Sequence, residues 1–501
     1  MELNEHTNTL AGELGVITED HPYDGEIRFL QFGEGNFLRG FVDQMIDVAN
    51  RSGVMSGKVA IVQPIRRGMT AKLEAQGCVY SVLLQGKENG EAVRKRQVVS
   101  SVAKAFSPYD DYQTYENLAK LESLRFIVSN TTEAGIAFDA NDRLDMEPPE
   151  SYPGKLTKLL YTRYTHFSGN MDRGLVILPV ELIEKNGATL LRCVKQYCDL
   201  WKLPKAFAEW LDRACIFCDT LVDRIITGYP AAHAEELFAE FGCRDEMMVT
   251  GEPFALWVIQ SDRCEEVRRL LPLDRAGLHV VFTDNLTPYR ERKVRVLNGA
   301  HTACVLGAYL AGENIVRGLM QDKLLRAFME RAVRTEIVPT VKLPREEVEQ
   351  FAASVFERFE NPFIDHKLLD ISLNSVSKWR ARVLPSVKDY VAQTGRLPAM
   401  LTFSFAALLA FYTPAQTEDG RNYGVRGEDR YEIRDGAAEL AFFAENAGLE
   451  TRVFVEKAAA CEAFWGEDLT KISGFAAAVT QALDAIRKEG IRTAMSRILE
   501  A

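Results

Sequence analysis

The sequence predicts an α/β protein in which an N-terminal, Rossmann-like doubly wound sheet is followed by a mainly α-helical C-terminal domain. Three observations predict this fold class. Short β-rich runs alternate with helical stretches between residues 25 and 180, a glycine-rich turn joins the first of these runs to an amphipathic helix, and helical periodicity dominates from residue 293 onward. Strands that alternate with helices form mostly parallel sheets.

The candidate strands of the N-terminal part are short and rich in β-branched and aromatic residues. They are Ile27–Phe32, Val59–Gln63, Tyr80–Leu84, Phe126–Ser129 and Leu175–Leu178. Helical periodicity fills several of the gaps, for example at 110–121 and 156–164. Ligands of a doubly wound sheet bind beyond the carboxyl ends of its strands. We therefore expect segments 33–40, 63–67 and 130–133 to converge on one crevice.

The pattern changes towards the C-terminus. Residues 188–270 indicate helices with loops, and 279–283 predicts one more strand. Everything beyond reads as helix, at 293–312, 321–333, 345–358, 376–394, 400–412, 436–446 and 466–498. A chain of 501 residues exceeds one ordinary core. We predict a dinucleotide-binding domain at 1–284 and an α-helical substrate and catalytic domain at 285–501.

Composition argues against several functional classes. A net charge of −11 without a long Lys/Arg run argues against a nucleic-acid binder. Met1–Leu10 is polar, which is atypical of a secretory signal, and the apolar run Phe403–Tyr412 is too short to cross a bilayer. Nine scattered cysteines fit a reducing cytoplasm, and Cys215-x-x-Cys218 lacks the second pair of a zinc site. We expect a cytoplasmic protein with no metal and no membrane partner.

The glycine-rich turn is the first candidate functional element. A strand ending at Phe32 runs into Gly33-x-Gly35, and Asn36 and Phe37 open the following helix. Strand, glycine turn and helix N-terminus form the arrangement that holds a dinucleotide pyrophosphate. The third glycine comes at 40 rather than 38, and a plain β-turn-α junction is the alternative interpretation.

The next two strand ends add Gln63, Asn130 and Thr131 as candidate cofactor contacts. Strand-end hydroxyls and amides can meet the ribose or phosphates, although many such residues only cap the next helix. The residue after the second strand usually hydrogen-bonds to the adenine ribose, and an acidic residue at this position favours NAD. Here Arg66-Arg67 follows instead, so the residues alone leave a 2′-phosphate possible.

The second candidate element is Lys293-x-x-x-x-Asn298-x-x-His301. On a regular α-helix, Asn298 and His301 would lie about 140° and about 80° round from Lys293, on one broad side. A straight helix would separate Lys293 and His301 by about 12 Å, so we expect the lysine at or just before the first turn. A lysine amine acts as a base near neutral pH only where burial and nearby cations favour its neutral form. Arg290, Arg292 and Arg295 are candidate neighbours, and a solvated lysine beside a buried core histidine is the alternative.

These elements together resemble the polyol-specific long-chain dehydrogenases, the mannitol dehydrogenase family. The resemblance runs from about residue 27 to 412 and includes Val222-Asp223-Arg224-Ile225, Glu252-Pro-Phe254, Asn361-Pro362, Lys378 and Leu384-Pro385. It implies a zinc-independent NAD-linked dehydrogenase. Lys293 would be its general acid/base, Asn298 and His301 would bind the reacting oxygen, and Asp223 and Lys378 would line the substrate pocket.

The chain departs from the polyol members of that family in its charges. It has Glu181-Leu182 where they carry Asp-Asn, and Arg290 where they often carry Glu. Added positive charge suits a substrate with a carboxylate, bound by Arg290 or another nearby base. We therefore expect a small sugar acid as the substrate. Alternatives are a plain polyol, a non-redox sugar-acid epimerase and a nucleotide-binding sensor. The oligomeric state stays open, a monomer included.

Overall fold

The computed structural model describes residues 25–132, 134–413 and 416–500. The predictions made for Met1–Leu10 and for Glu133 lie outside these residues. Contacts between residues divide the described chain into two units. The first unit comprises the residues up to Gln85 together with Val93–Leu286, and the second comprises Gly86–Ala92 together with the residues from Thr287 onward.

The strands of the N-terminal part form three sheets. In chain order they are β1 Ile27–Phe32, β2 Lys58–Val62, β3 Tyr80–Glu88, β4 Glu91–Val99, β5 Val102–Phe106, β6 Phe126–Ser129, β7 Val176–Pro179, β8 Ile216–Phe217, β9 Asp219–Asp223, β10 Ile226–Gly228, β11 Val249–Gly251, β12 Leu256–Gln260 and β13 Val280–Thr283. The main sheet has the order β5-β2-β1-β6-β7-β8, and all its neighbours pair in parallel. This confirms the predicted doubly wound sheet.

The main sheet is apolar on both faces because helices cover both. Phe29, Val128 and Leu178 pack into one core, whereas Leu30 and Ile127 pack into the other. Parallel sheets buried in this way consist of nearly continuous hydrophobic strands. Because of this property, the predicted first and last residues of β1 and β6 agree with the structure.

Two smaller sheets correct the predictions for this part of the chain. Their orders are β10-β11-β3-β4 and β13-β12-β9. The predicted strand at Tyr80–Leu84 exists and extends to Glu88, but it belongs to the first of these small sheets. The prediction of helices with loops over 188–270 was wrong for the strands β8–β12. These strands have two to five residues, too few to establish a period.

The helices of the first unit surround these sheets. α1 is continuous through Asn36–Leu38, the π-helical turn Arg39–Asp43 and Gln44–Arg51. The others are α2 Thr70–Ala75, α3 Tyr112–Ala119, α4 Tyr152–His166, α5 Asn186–Leu200, α6 Lys205–Ala214, α7 Ala234–Phe241 and α8 Cys264–Leu270, with 3₁₀ turns at Met171–Arg173, Ala231–His233 and Leu273–Ala276.

The second unit is mainly helical, as predicted. α9 is continuous through Thr287–Arg292, the π-helical turn Lys293–Asn298 and Gly299–Leu310, and α11 runs through Lys323–Arg331, the π-helical Ala332–Ile337 and the 3₁₀ turn Val338–Thr340. The remaining helices are α10 Val316–Gln321, α12 Arg345–Phe359, α13 Leu368–Ile371, α14 Ser375–Arg382, α15 Leu384–Thr394, α16 Ala399–Tyr412, α17 Ala437–Asn446, α18 Thr451–Ala459, α19 Glu462–Trp465, α20 Phe475–Glu489 and α21 Ile491–Glu500, with a 3₁₀ turn at Leu469–Lys471.

One part of the second unit contradicts the expectation of helix throughout. An antiparallel sheet is formed by β14 Gln416–Glu418, β15 Arg421–Arg426 and β16 Asp429–Ile433. The β14–β15 turn is Asp419-Gly420, with positive φ at both residues. Asp-Gly is a strong hairpin signal that helical periodicity on either side obscured. Among the described residues, no helix is long and apolar enough to cross a membrane.

Candidate active site

The glycine turn of the first unit has the geometry of a phosphate-binding turn. Gly33 has φ +120°, and a Cβ there would lie 3.1 Å from the backbone oxygen of Asn130. Gly35 precedes α1 in extended conformation, without a side-chain cap. Nothing lies within 4 Å of the position that a Cβ on Gly35 would take. The uncapped N–H groups of a helix with open space before them can receive an anionic phosphate.

Buried polar contacts hold this turn in place. Arg39 donates to the carbonyl oxygen of Glu34 at 3.0 Å, to Oδ1 of Asn36 at 2.8 Å and to the carbonyl of Met247. The Asn36 side chain is thereby tied to the turn itself. Arg224 donates to the carbonyl of Gly40 at 2.9 Å, within the π turn of α1.

Gly40 has a packing role in the same helix. A Cβ at this position would lie 2.8 Å from Ile226 Cδ1 and 3.0 Å from Val249 Cγ1. The glycine therefore lets α1 approach β10 and β11 closely. The third glycine, at position 40, thus stands where a side chain would collide with two neighbouring strands.

The side chains of two predicted cofactor contacts face the interior of the first unit. The Phe32 side chain is fully buried in the core, with its ring centroid 4.8 Å from that of Tyr152, so its ring cannot contact a ligand. Gln63 is buried, and its amide donates to Ile65 O at 2.8 Å and accepts from Thr70 Oγ1 at 2.9 Å. Both residues stabilise the strand ends from inside. Phe37 is half-buried and stacks on Phe41 at 5.0 Å.

The end of β6 depends on a residue that the sequence did not assign. Glu181 accepts hydrogen bonds from the Ser129 hydroxyl at 3.1 Å and from both the backbone N–H and the hydroxyl of Thr131 at 3.0 Å. Burial raises the pKa of this carboxyl. The Asn130 backbone N–H bonds to Phe32 O, which joins the ends of β6 and β1. Asn130 and Thr131 are half-buried beside the glycine turn, as predicted for strand-end residues.

The remaining first-unit candidates lie at other strand ends. Asp223 is the last residue of β9 and is buried. Arg66 is exposed after β2, where it forms an ion pair with Glu150 and lies 4.5 Å from the centre of the Tyr109 ring. The arginine that was a candidate for a 2′-phosphate therefore already has a carboxylate beside it.

The Lys293 segment of the second unit differs from the regular α-helix that was expected. Lys293 lies six residues inside α9, so the prediction that it begins a helix was wrong. The π turn starts at this lysine, and the Gly299 N–H bonds to Val294 O, five residues back. Such i→i+5 turns are rare and occur frequently at functional sites.

The π turn changes which side chains share a face. Residues five apart are about one π turn apart, so Lys293 and Asn298 lie on the same side of α9 rather than about 140° apart as in an α-helix. His301 follows Asn298 by three positions in α-helical geometry and shares its face. The wide turn therefore brings the three candidate catalytic residues into one row along the helix.

Two of the arginines beside Lys293 have other partners. Arg292 is buried and pairs with Glu347 at 2.5 Å, and Arg295 is buried and pairs with Asp389. Each of these charges is compensated by a carboxylate, which reduces the positive potential that either arginine adds around the lysine. Arg290 is half-buried one turn before the lysine.

His301 is held as a neutral imidazole. Its ring stacks on Phe359 with centroids 4.1 Å apart and meets His366 edge-on at 5.6 Å. Burial, and then the positive charges of neighbouring side chains, keep the pKa of His301 well below its usual value. Its Nε2 is buried without a hydrogen-bond partner among the described residues. A buried, unpaired ring nitrogen is costly, and the hydroxyl or carbonyl oxygen of a substrate would satisfy it.

Comparison with known proteins identifies the family of both parts of the chain. A family model described as "Mannitol dehydrogenase Rossmann domain" matches residues 27–271, and one described as "Mannitol dehydrogenase C-terminal domain" matches 285–487. An altronate oxidoreductase of Klebsiella pneumoniae (strain 342) is 43% identical over 475 residues, covering 93% of this chain and 96% of the relative. One of Cronobacter sakazakii is also 43% identical, over 476 residues, with coverages of 94% and 96%.

Solved structures share the fold at low identity. The Pseudomonas fluorescens mannitol 2-dehydrogenase, in a ternary complex with NAD and D-mannitol, matches with a TM-score of 0.66 at 20% identity over 100% of both chains. A substrate-free D-sorbitol dehydrogenase matches with a TM-score of 0.79 at 19% identity, covering 99% of this chain and 100% of the other. Together with the two family matches, these findings show that the chain belongs to the mannitol dehydrogenase family of oxidoreductases acting on CH–OH groups.

Proposed function

We propose that this protein interconverts D-altronate and D-tagaturonate with NAD⁺ and NADH. The first unit would bind the nucleotide and the second would carry the substrate and catalytic residues. The observation that carries the proposal is the row of Lys293, Asn298 and His301, which ends in a neutral imidazole with an unpaired buried nitrogen. The choice of sugar acid is supported by the two relatives named altronate oxidoreductase.

The nucleotide fits the residues of the glycine turn. The uncapped N-terminus of α1 and the open space at Gly35 can receive its pyrophosphate. Asn130, whose N–H bonds to Phe32 O, and Thr131, which bonds to Glu181, stand at the adjacent strand end and would meet its ribose or phosphates. When bound, the nicotinamide exchanges a hydride with the carbon that bears the reacting oxygen. Asn36 and Phe37 would shape the turn around the phosphates.

The proton is moved by the chain's own residues. During oxidation, Lys293 in its neutral form accepts the proton of the substrate hydroxyl, and in reduction its ammonium returns a proton to the oxygen. Asn298 and His301 donate hydrogen bonds to that oxygen as negative charge develops on it. Asp223 and Lys378 would contact the other hydroxyls of the sugar, and Arg290 remains a candidate for its carboxylate.

A substrate panel tests the proposed function. With purified protein, we expect nicotinamide absorbance to change with D-altronate and NAD⁺, and with D-tagaturonate and NADH. Turnover of mannonate or fructuronate, or of mannitol or fructose, in place of these would assign the protein to a sister activity of the family. No absorbance change with any sugar or sugar acid would contradict a redox function.

The pairing of Arg66 with Glu150 predicts a preference for NADH over NADPH. A 2′-phosphate near Arg66 would face the Glu150 carboxylate, which already compensates the arginine. We expect Glu150→Gln to lower the KM for NADPH about tenfold, worth ~1.4 kcal/mol, with little change for NADH. Asp145→Asn, which alters an exposed acid paired with Arg143 in the same segment, should change neither value. Equal effects on both cofactors would show that Glu150 does not control this choice.

A further inference from the structure

Four side chains that can carry positive charge act on His301 in the second unit. They are His366, Arg358, Arg382 and Lys378. Lys378 and Arg382 both belong to α14, four positions apart, and so project from the same face of that helix. Because burial also lowers the pKa of His366, the positive charge around the neutral imidazole comes mainly from Arg358, Arg382 and Lys378.

Lys378 and Arg382 differ from the buried Arg292 and Arg295 of this unit in forming no ion pair among the described residues. Arg292 and Arg295 each pair with a carboxylate. Lys378 donates from Nζ to the carbonyl of Ile371 at 2.9 Å. Within 25–132, 134–413 and 416–500, neither Lys378 nor Arg382 forms an ion pair with any carboxylate. Both are half-buried, and partial burial lowers the pKa of each.

The backbone that carries Arg382 is fixed against the candidate catalytic helix. A Cβ on Gly299 would lie 3.1 Å from the carbonyl oxygen of Arg382, so the end of α14 abuts α9 directly after Asn298. α14 is also anchored by Trp379, which is fully buried and donates to Ser404 Oγ at 3.0 Å. Arg382 therefore starts from a rigid position beside the row of Lys293, Asn298 and His301.

Two half-buried cations that form no ion pair, of which only Lys378 has a carboxylate acting on it (that of Asp435), are unfavourable in the empty protein. A guanidinium presents a planar fork of N–H donors that matches the two oxygens of a carboxylate. We propose that Arg382, assisted by Lys378, binds the carboxylate of the sugar-acid substrate and so selects acids over neutral polyols. This inference rests on the proposed function and assigns to Arg382 the role for which the sequence offered Arg290.

The test compares an acid with its uncharged counterpart. kcat and KM are measured for D-altronate and for the alditol that has CH₂OH in place of the carboxylate, in the full-length protein and in Arg382→Gln. We expect the KM for the acid to rise about 100-fold, as for loss of a bidentate charge-assisted contact, while the values for the alditol stay within about threefold. Arg382→Lys should recover part of the loss, because it restores the charge without the fork.

A matched control and a competing assignment make the result decisive. Arg380→Gln removes the same charge from the same helix, but Arg380 is exposed and its Nη2 would lie 2.6 Å from a Cβ on Gly466. This variant should behave like wild type. If Arg290→Gln rather than Arg382→Gln removes the preference for the acid, the carboxylate belongs to Arg290 and the inference is wrong.

The remaining outcomes separate this inference from the proposed function. If the wild-type protein oxidises altronate and Arg382→Gln has the same ratio of kcat/KM for the acid to kcat/KM for the alditol, only the role of Arg382 is overturned. If Arg382→Gln does not fold, Arg382→Lys replaces it in the test, and an unchanged acid-to-alditol ratio of kcat/KM in that variant also overturns the role of Arg382. A wild-type protein that oxidises only neutral polyols overturns the proposed function, and the role of Arg382 with it.

Discussion

Replacing Lys293 by alanine should lower turnover by about two to four orders of magnitude, the range expected when a general acid/base is removed. Lys293 is half-buried at the first position of the π turn, in one row with Asn298 and His301. Without the amine, no side chain in this row is an effective base for the hydroxyl proton, because Asn298 does not titrate and burial lowers the pKa of His301, which makes its imidazole a poor proton acceptor. The dissociation constant for NADH should stay within about twofold, since the glycine turn belongs to the other unit. Steady-state rates and a fluorescence titration with NADH measure the two quantities.

Two controls make the Lys293→Ala result specific. Lys388→Ala removes an exposed lysine that pairs with Glu467 at 2.6 Å, and turnover should be retained. Small primary amines added to Lys293→Ala should restore part of the rate, because they can supply the missing base. Near-normal turnover in Lys293→Ala without added amine would remove this residue from the mechanism.

Replacing Gly33 by alanine should weaken both nucleotide binding and the fold of the first unit. The residue has φ +120°, which L-residues rarely adopt, and a Cβ there would lie 3.1 Å from both Asn130 O and Leu38 Cδ1. Strain of this kind costs about 1–3 kcal/mol. We expect a lower midpoint of thermal unfolding and an NADH affinity reduced at least about tenfold, measured by calorimetry and by titration.

Gly35→Ala is the matched variant that separates binding from folding. Gly35 has φ −63°, and nothing lies within 4 Å of the new Cβ. Its unfolding midpoint should equal that of wild type, while NADH binding weakens because the methyl group occupies the space in front of the helix N-terminus. Unchanged NADH affinity in Gly35→Ala would show that the pyrophosphate does not bind at this turn.

The sequence predicted those parts of the fold in which the pattern of apolar residues matches the burial of the element. The parallel strands β1 and β6 are buried on both faces and therefore consist mostly of apolar residues. The short strands of the smaller sheets were missed because hydrogen bonds to distant strands, rather than local pattern, decide their conformation. The hairpin at Asp419-Gly420 was detectable from its turn residues alone.

The candidate site was predicted in its residue types and only partly in its geometry. Lys293, Asn298 and His301 stood out as polar residues in an apolar helix, but a regular helix was assumed, so the π turn that lines them up was missed. Phe32 and Gln63 were assigned from their position at strand ends, which does not reveal that their side chains point inward. Arg382 was not singled out because its lack of an acidic partner is a property of the fold.

α1, which follows the glycine turn, contains a π turn at Arg39–Asp43. α9, which carries the candidate catalytic residues, contains one at Lys293–Asn298. Each such turn accommodates one more residue than a regular helix of the same length. In α9, deletion of one residue between Lys293 and Asn298 would restore ordinary helix and rotate Lys293 by about 100° relative to Asn298 and His301. The alignment of these three side chains therefore depends on a single extra residue of backbone.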